Sequence, residues 1–210
     1  MNPAEKAQAI QSITEGNSVF RSFDNRDEGV HGTFMLFDDY VPGKIFVNHG
    51  RDLVLDNVNY DVYRDKLVVW RDGVEVLVNT AAVKGFSLEG AGGELEFIKV
   101  VSGDKEGFFQ SILVTDKLAL YKKYSKKLIK PDYKDPYSSG RTYSEFISEE
   151  KFVLQVKDQP MVGIKNKKDL YQVFPRQKKE LAEVLRNKKT DFKNTADVRA
   201  LFHYLDGILP

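Results

Sequence analysis

The chain has 210 residues, 41% of them apolar and 30% charged, with 14 Phe and 10 Tyr, which is enough to build one large domain or a domain with an appendage and argues against global disorder. It has no Cys, and this excludes disulfides, thiolate metal ligands, cysteine nucleophiles and thiol redox chemistry together. The formal charge is only +1, but residues 1–105 hold 11 basic and 17 acidic side chains while the remainder hold 21 and 14; such an asymmetry can steer an anionic partner, although solvated surface charge is the more common reason for it.

No stretch reaches the roughly 18 apolar residues of a membrane-spanning helix. The start, Met1-Asn2-Pro3-Ala4-Glu5-Lys6, lacks the basic-then-apolar pattern of a signal peptide, so the chain as written is expected to be soluble, with Asn2-Pro3 leaving room for a trimmed leader. Residues 1–32 read as a peripheral segment. A short helix over Ala4–Ile13 places Ala7, Ile10 and Ile13 on one side, and the polar run from Gly16 to Gly32 reads as a connection pinned by Val19, Phe20 and Phe23.

Residues 33–164 form the expected β-body. Strands are predicted at Thr33–Phe37, Lys44–Asn48, Leu53–Leu55, Asn59–Tyr63 and Lys66–Trp70, with a turn over Asp38–Gly43. Arg71-Asp72-Gly73 before Val74–Val78 is the strongest hairpin signal, because Asp-Gly supplies the positive φ of a tight turn. Further strands are predicted at Val83–Leu88, Glu94–Val101, Phe108–Val114 and Leu118–Tyr124, with Gly90–Gly93 as a hairpin loop. Ser125–Arg141 has loop composition, and a hairpin of Tyr143–Ile147 with Lys151–Lys157 follows, then a short run Met161–Ile164. Short strands about ten residues apart, with no helical period between them, predict antiparallel pairing. The fold class is α+β, mainly β: an antiparallel sandwich, open barrel or curved meander followed by a C-terminal helical hairpin.

Residues 165–210 are that helical tail. Asn166 is a good N-cap, with Asp169 at the third position, for a helix carrying Leu170, Val173 and Phe174 and stopping at Pro175. A second helix carries Leu181, Val184 and Leu185. Asn194 or Thr195 caps a third with Val198, Leu201, Phe202 and Leu205 at i, i+3, i+4, i+7, ending at Gly207.

The segments Tyr60–Leu67, Val83–Phe86, Gly107–Leu113, Leu118–Lys123 and Ile164–Leu170, taken in series, resemble a family of uncharacterised exported proteins of Bacteroidota. The likeness spans Thr33 to Leu205. It implies a β-rich body, a helical tail containing Asn-Lys-Lys, and a periplasmic or outer-membrane-associated location. The family has no established activity, so no functional residues carry over.

Residue chemistry offers few anchors. The three His, His31, His49 and His203, have no spacing that presents two metal ligands from one element, and no serine sits in a Gly-x-Ser-x-Gly elbow; neither metal nor cofactor is called for. His203 reads as a part-buried, hydrogen-bonded helix residue. Paired carboxylates occur at Asp38-Asp39, Asp61 with Asp65, Glu94 with Glu96, and Glu149-Glu150, and a solvated strand face explains Glu94 and Glu96 as well as acid–base chemistry does. The most suggestive stretch is 117–137, where Lys117, Lys122, Lys123, Lys126, Lys127 and Lys130 interleave with Tyr121, Tyr124, Tyr133 and Tyr137 and no acid interrupts 117–131. Lysines neutralise phosphate or sulfate and tyrosines stack on bases or sugars, so this stretch is a candidate anion site. The expected function is a non-enzymatic exported binding protein whose partner the sequence leaves unknown, an envelope protein or glycan being the candidates ahead of nucleic acid. An anion-binding module using 117–137, for glycan, lipid headgroup or single-stranded nucleic acid, is the alternative, and a carboxylate hydrolase ranks third.

Overall fold

A computed structural model describes residues 30–102, 105–131, 143–157 and 159–209. The Ala4–Ile13 helix and most of the 1–32 segment, together with Tyr133 and Tyr137, lie outside the described residues. The expected mainly antiparallel β-body with helices at the C-terminal end is what the chain forms. Eleven strands are present among the described residues: β1 Val30–His31, β2 Val41–Val47, β3 Leu53–Asp61, β4 Lys66–Arg71, β5 Val74–Leu77, β6 Val83–Gly90, β7 Gly93–Ser102, β8 Lys105–Val114, β9 Leu118–Ile129, β10 Ser144–Val156 and β11 Val162–Ile164. They form an open sheet in the order β1-β10-β9-β8-β7-β6-β2-β3-β4-β5, with β11 on β10. Only the short β1–β10 pairing is parallel among the registers described.

The chain divides into two compact units, one of described residues up to Lys99 with Tyr124–Glu149, the other of Val100–Lys123 with Glu150 onward. In the first unit the meander β6-β2-β3-β4-β5 closes on a core of Ile45, Val58, Leu67, Val69, Val83 and Leu88, with Tyr60, Phe86 and Phe97 wholly buried at its centre. The Phe86 and Phe97 rings stack at 4.8 Å, and Tyr60 tilts against them at 5.3 and 5.4 Å. Arg71↔Val74 closes the predicted Asp-Gly hairpin, with Asp72 at φ 51° and Gly73 at φ 84°, the twin positive φ of a type I′ turn.

In the second unit three helices pack on strand residues: α1 Lys167–Val173, α2 Lys178–Lys188 and α3 Thr195–Ile208. Their apolar stripes supply Leu170, Leu181, Val198, Leu201, Phe202 and Leu205 to a core shared with Ile112, Leu118, Leu120, Phe152, Leu154 and Ile164. The predicted caps are in place. Asn166 and Asp169 form a reciprocal capping box, and Asn194 Oδ1 accepts from the N–H groups of Ala196 and Asp197 at 2.9 and 3.2 Å.

Several predicted boundaries are corrected, and the predicted strands Leu53–Leu55 and Asn59–Tyr63 merge into one strand, β3, which runs on through Asp56-Asn57 opposite a register shift in β2 rather than turning there. Tyr143–Ile147 and Lys151–Lys157 are not a hairpin but parts of the single strand β10; Ser148-Glu149-Glu150 is polar yet lacks a turn former, and its two glutamates are paired with lysines of β9, Glu149 with Lys127 and Glu150 with Lys122. The loop predicted to start at Ser125 starts later, because β9 runs to Ile129. Val41-Pro42-Gly43 lies within β2 rather than in a turn, where the register shifts between Val41 and Gly43, the bulge that admits a proline. Correspondingly Thr33–Phe37 is not a full strand and contributes only a bridge from Met35 to Asp61.

Backbone proximity makes two glycine substitutions diagnostic. A Cβ at Gly85 would stand 2.5 Å from the Phe97 carbonyl oxygen, whereas one at Gly207 in α3 would meet nothing within 4 Å. Gly85→Ala is therefore expected to cost about 1–3 kcal/mol and Gly207→Ala to gain up to about 1 kcal/mol. Urea denaturation of both variants measures the pair; equal effects would contradict the β6–β7 packing.

Candidate functional site

The lysine-rich stretch was the sequence's principal candidate, and its residues fall in both units. In the second, Lys117 Nζ donates to the carbonyls of Asp206 and Leu209 at 3.2 and 2.6 Å, closing the end of α3 where free carbonyls and the helix dipole favour a cation. Lys122, 8% exposed, has its ammonium 2.5 Å from Glu150 Oε2 and 3.2 Å from Thr195 Oγ1, above the Phe152 ring. Lys123 donates to the Phe108 carbonyl at 2.9 Å and lies over the Phe109 ring. Tyr121 is buried, which pushes its phenol up from the ordinary value, and its ring meets Phe109 edge-on.

In the first unit Tyr124 tilts against Phe97 at 5.9 Å. Lys126 donates to the carbonyls of Thr33 and Met35 at 2.7 and 2.6 Å; burial pulls its ammonium below the usual lysine range, against the opposing pull of the Asp38 and Asp61 charges. Lys127 is exposed and pairs with Glu149 at 3.5 Å, and Lys130 is exposed just past the end of β9. Four of the six ammonium groups, those of Lys117, Lys122, Lys123 and Lys126, thus replace their hydration with protein oxygens.

The paired carboxylates separate in the same way. Glu94 and Glu96 are exposed on β7. Asp65, at φ 59° in the β3–β4 turn, accepts from the Tyr60 hydroxyl. Asp61 is 0% exposed: Oδ1 accepts from the Arg64 N–H at 2.9 Å, while Oδ2 lies 3.3 Å from Arg64 Nη1 without the geometry of a hydrogen bond and has no hydrogen-bond partner. Burial holds the Asp61 carboxyl above its usual range, outweighing Arg64 and the Tyr63 N–H, with the Glu75 charge adding to the rise. Glu75 accepts from the Tyr40 hydroxyl at 2.5 Å, and burial foremost, then Glu75, pushes that phenol up. Asn59 donates to the carbonyls of Phe37 and Asp39 at 2.9 and 3.0 Å and accepts from the Phe37 N–H. Together Asn59 of β3, Glu75 of β5 and Lys126 of β9 hold residues 33–40 in place as a strap, and Asp61 is bridged to that strap at Met35. Among the described residues no His, Asp and Glu gather closely enough to hold a metal, and no helix is long and apolar enough to cross a membrane. His203 is exposed, not part-buried, because the α3 stripe of Val198, Leu201, Phe202 and Leu205 turns it outward.

Concave surface is found in the second unit. One groove of about 390 Å³ is lined by Phe152, Ile164 and Phe192 with Lys151, Lys165 and Lys193, and by Glu150. A second, of about 480 Å³, is lined by Tyr171, Leu185 and Phe192 with Lys167, Arg186 and Lys189. Phe192, half-buried in the α2–α3 connection, belongs to both. The charged groups of Lys165, Lys167, Arg186, Lys189 and Lys193 have no carboxylate partner among the described residues, and the one carboxylate lining either groove, Glu150, is committed to Lys122. Sequence reasoning missed this surface because its cations come from three separate segments. A local signal did exist in Lys188-Lys189-Thr190-Asp191-Phe192-Lys193, a basic linker carrying an aromatic between two helices.

No protein-family model, curated protein or solved structure matches the chain.

The Asp61 environment sets a pH dependence. A carboxyl raised above its unfolded value of 3.8 binds its proton more tightly in the native state, so its contribution lowers stability as pH rises from that value through the native pKa, and the cost is full above it. Asp61→Asn keeps an acceptor for the Arg64 N–H and removes the charge. It is expected to be more stable than the parent near neutral pH, with the gap closing on acidification; denaturant titrations at several pH values measure it, and a gap that widens in acid would refute the assignment.

Proposed function

We propose that this chain is a non-enzymatic binding protein that takes an anionic partner on the grooved face of its second unit. The observation that carries the reading is the charge inventory of the two grooves: five cations without a carboxylate partner surround apolar floors, joined at one half-buried aromatic. Clustered like charge raises the local concentration of an oppositely charged ligand and speeds its encounter, and aromatic side chains are enriched at interface centres, with charged groups around them in the polar rim. The alternative, an anion held by residues 117–137, has less to work with, since Lys117, Lys122, Lys123 and Lys126 already hold protein oxygens. The resemblance to exported Bacteroidota proteins supports an encounter at the cell envelope; recovery of the native protein from periplasm or envelope agrees with that reading, and recovery from cytosol overturns it.

Amide NMR titrations with polyglutamate, heparin and single-stranded DNA test the site. At least one polyanion is expected to shift the signals of residues 151, 165, 167, 186, 189, 192 and 193, with affinity falling as salt rises. Lys165→Glu combined with Lys189→Glu and Lys193→Glu should weaken binding by about tenfold or more. Shifts confined to 117–130 would transfer the site to the alternative, and silence toward all three polyanions would end the binding reading.

A further inference from the structure

We infer that the partner is an acidic protein segment carrying apolar side chains, laid in extended form across Phe192 with an apolar side chain in each groove. The inference rests on the proposed binding face and names its occupant. Both grooves pair a cationic rim with apolar lining: half-buried Phe192 belongs to both and half-buried Tyr171 and Leu185 to the second, while Phe152 and Ile164, at the back of the first, are closed into the core at 5% and 1% exposure. A ligand must satisfy both features. Sulfated glycans bring charge but little apolar surface, so they would leave the floors facing hydroxyls. Nucleic-acid bases bind by stacking on open aromatic faces, whereas the aromatic rings lining these grooves, Phe152, Tyr171 and Phe192, are buried or half-buried. A bilayer presents charge over a flat surface and fills no groove. A peptide in which Asp or Glu alternates with Phe or Leu offers carboxylates to Lys165, Lys189, Lys193 and Arg186 while its apolar side chains leave water.

The shared position of Phe192 adds a constraint. A compact ligand would occupy one groove, but two grooves meeting at a single residue suit a chain that runs from one to the other. Successive side chains of an extended peptide point to opposite sides, so alternation of acid and apolar residues presents one apolar row to the floors and leaves carboxylates for the rims.

Fluorescence anisotropy on the full chain tests the occupant with two labelled peptides of equal charge. In the first, Glu residues are interspersed with Phe and Leu; in the control, Ser replaces each Phe and Leu. The apolar peptide is expected to bind about tenfold more tightly or better, a difference of about 1.4 kcal/mol, and to keep that advantage in high salt, because apolar burial is not screened. Phe192→Ser should remove the advantage and leave the control peptide's affinity in place, while Lys165→Glu with Lys193→Glu should weaken both peptides and preserve their ratio; thermal melts confirm that each variant is folded. Equal binding of the two peptides would overturn the inference and leave the anion-binding face standing, as would tighter binding of heparin or single-stranded DNA than of the apolar peptide at matched charge. Failure of every anion to bind would overturn both.

Discussion

An ammonium group enters the interior of a β-sheet protein only where other oxygens replace the water it has lost. β9 meets this condition at Lys122, Lys123 and Lys126. In the first unit Lys126 reaches the Thr33 and Met35 carbonyls, and in the second Lys122 reaches Glu150 and Thr195. Each lysine consequently fixes the backbone that supplies its oxygens. Lys126 tethers the irregular stretch before β2, which also leans on Asn59 through three hydrogen bonds; Lys122 ties β10 to the first turn of α3. A run of lysines with the composition of a ligand patch is thereby largely internal scaffolding, and cations available to a partner have to be sought elsewhere.

The elements most legible in the sequence were those governed by local chemistry. Asp72-Gly73 demands positive φ, Asn166 with Asp169 completes a capping box, and the i, i+3, i+4, i+7 stripe of α3 matches its buried face. The errors occur where long-range pairing overrules local polarity. Ser148-Glu149-Glu150 looks like a turn until Lys122 and Lys127 on β9 supply partners, and Pro42-Gly43 looks like a turn until a bulge and the nearness of Ser87 to Gly43, 2.7 Å from a Cβ placed there, give both residues a reason to lie in a strand. The grooves were hidden for a related cause. Lys165 precedes α1, Arg186 lies on α2 and Lys193 follows it, so no contiguous window contains the surface they share.

Asp61 shows how the same constraint works for a carboxylate. One oxygen is satisfied by the Arg64 N–H, the other has only an ion-pair contact, and burial raises the proton affinity of the whole group. A perturbed carboxyl often marks a reactive centre. Here its surroundings are the strap of residues 33–40, with Met35 bridged to Asp61 itself, and the perturbation follows from packing that strap against β3. The shift is a consequence of the fold's geometry, and its natural readout is stability against pH.

The grooved face reverses the treatment of lysine found on β9. Lys165, Lys167, Lys189, Lys193 and Arg186 have no carboxylate partners among the described residues, and like charges held near one another oppose folding, by an amount that solvent screening keeps small but does not abolish. The half-buried Phe192, Tyr171 and Leu185 beside them forgo part of the burial that would otherwise favour the folded chain. Both penalties would be relieved by the proposed ligand, negative at its edges and apolar within. The basic excess of the chain's second half is therefore resolved in the structure into two populations: cations held by protein oxygens along β9, and cations around Phe192 that have no carboxylate partner among the described residues.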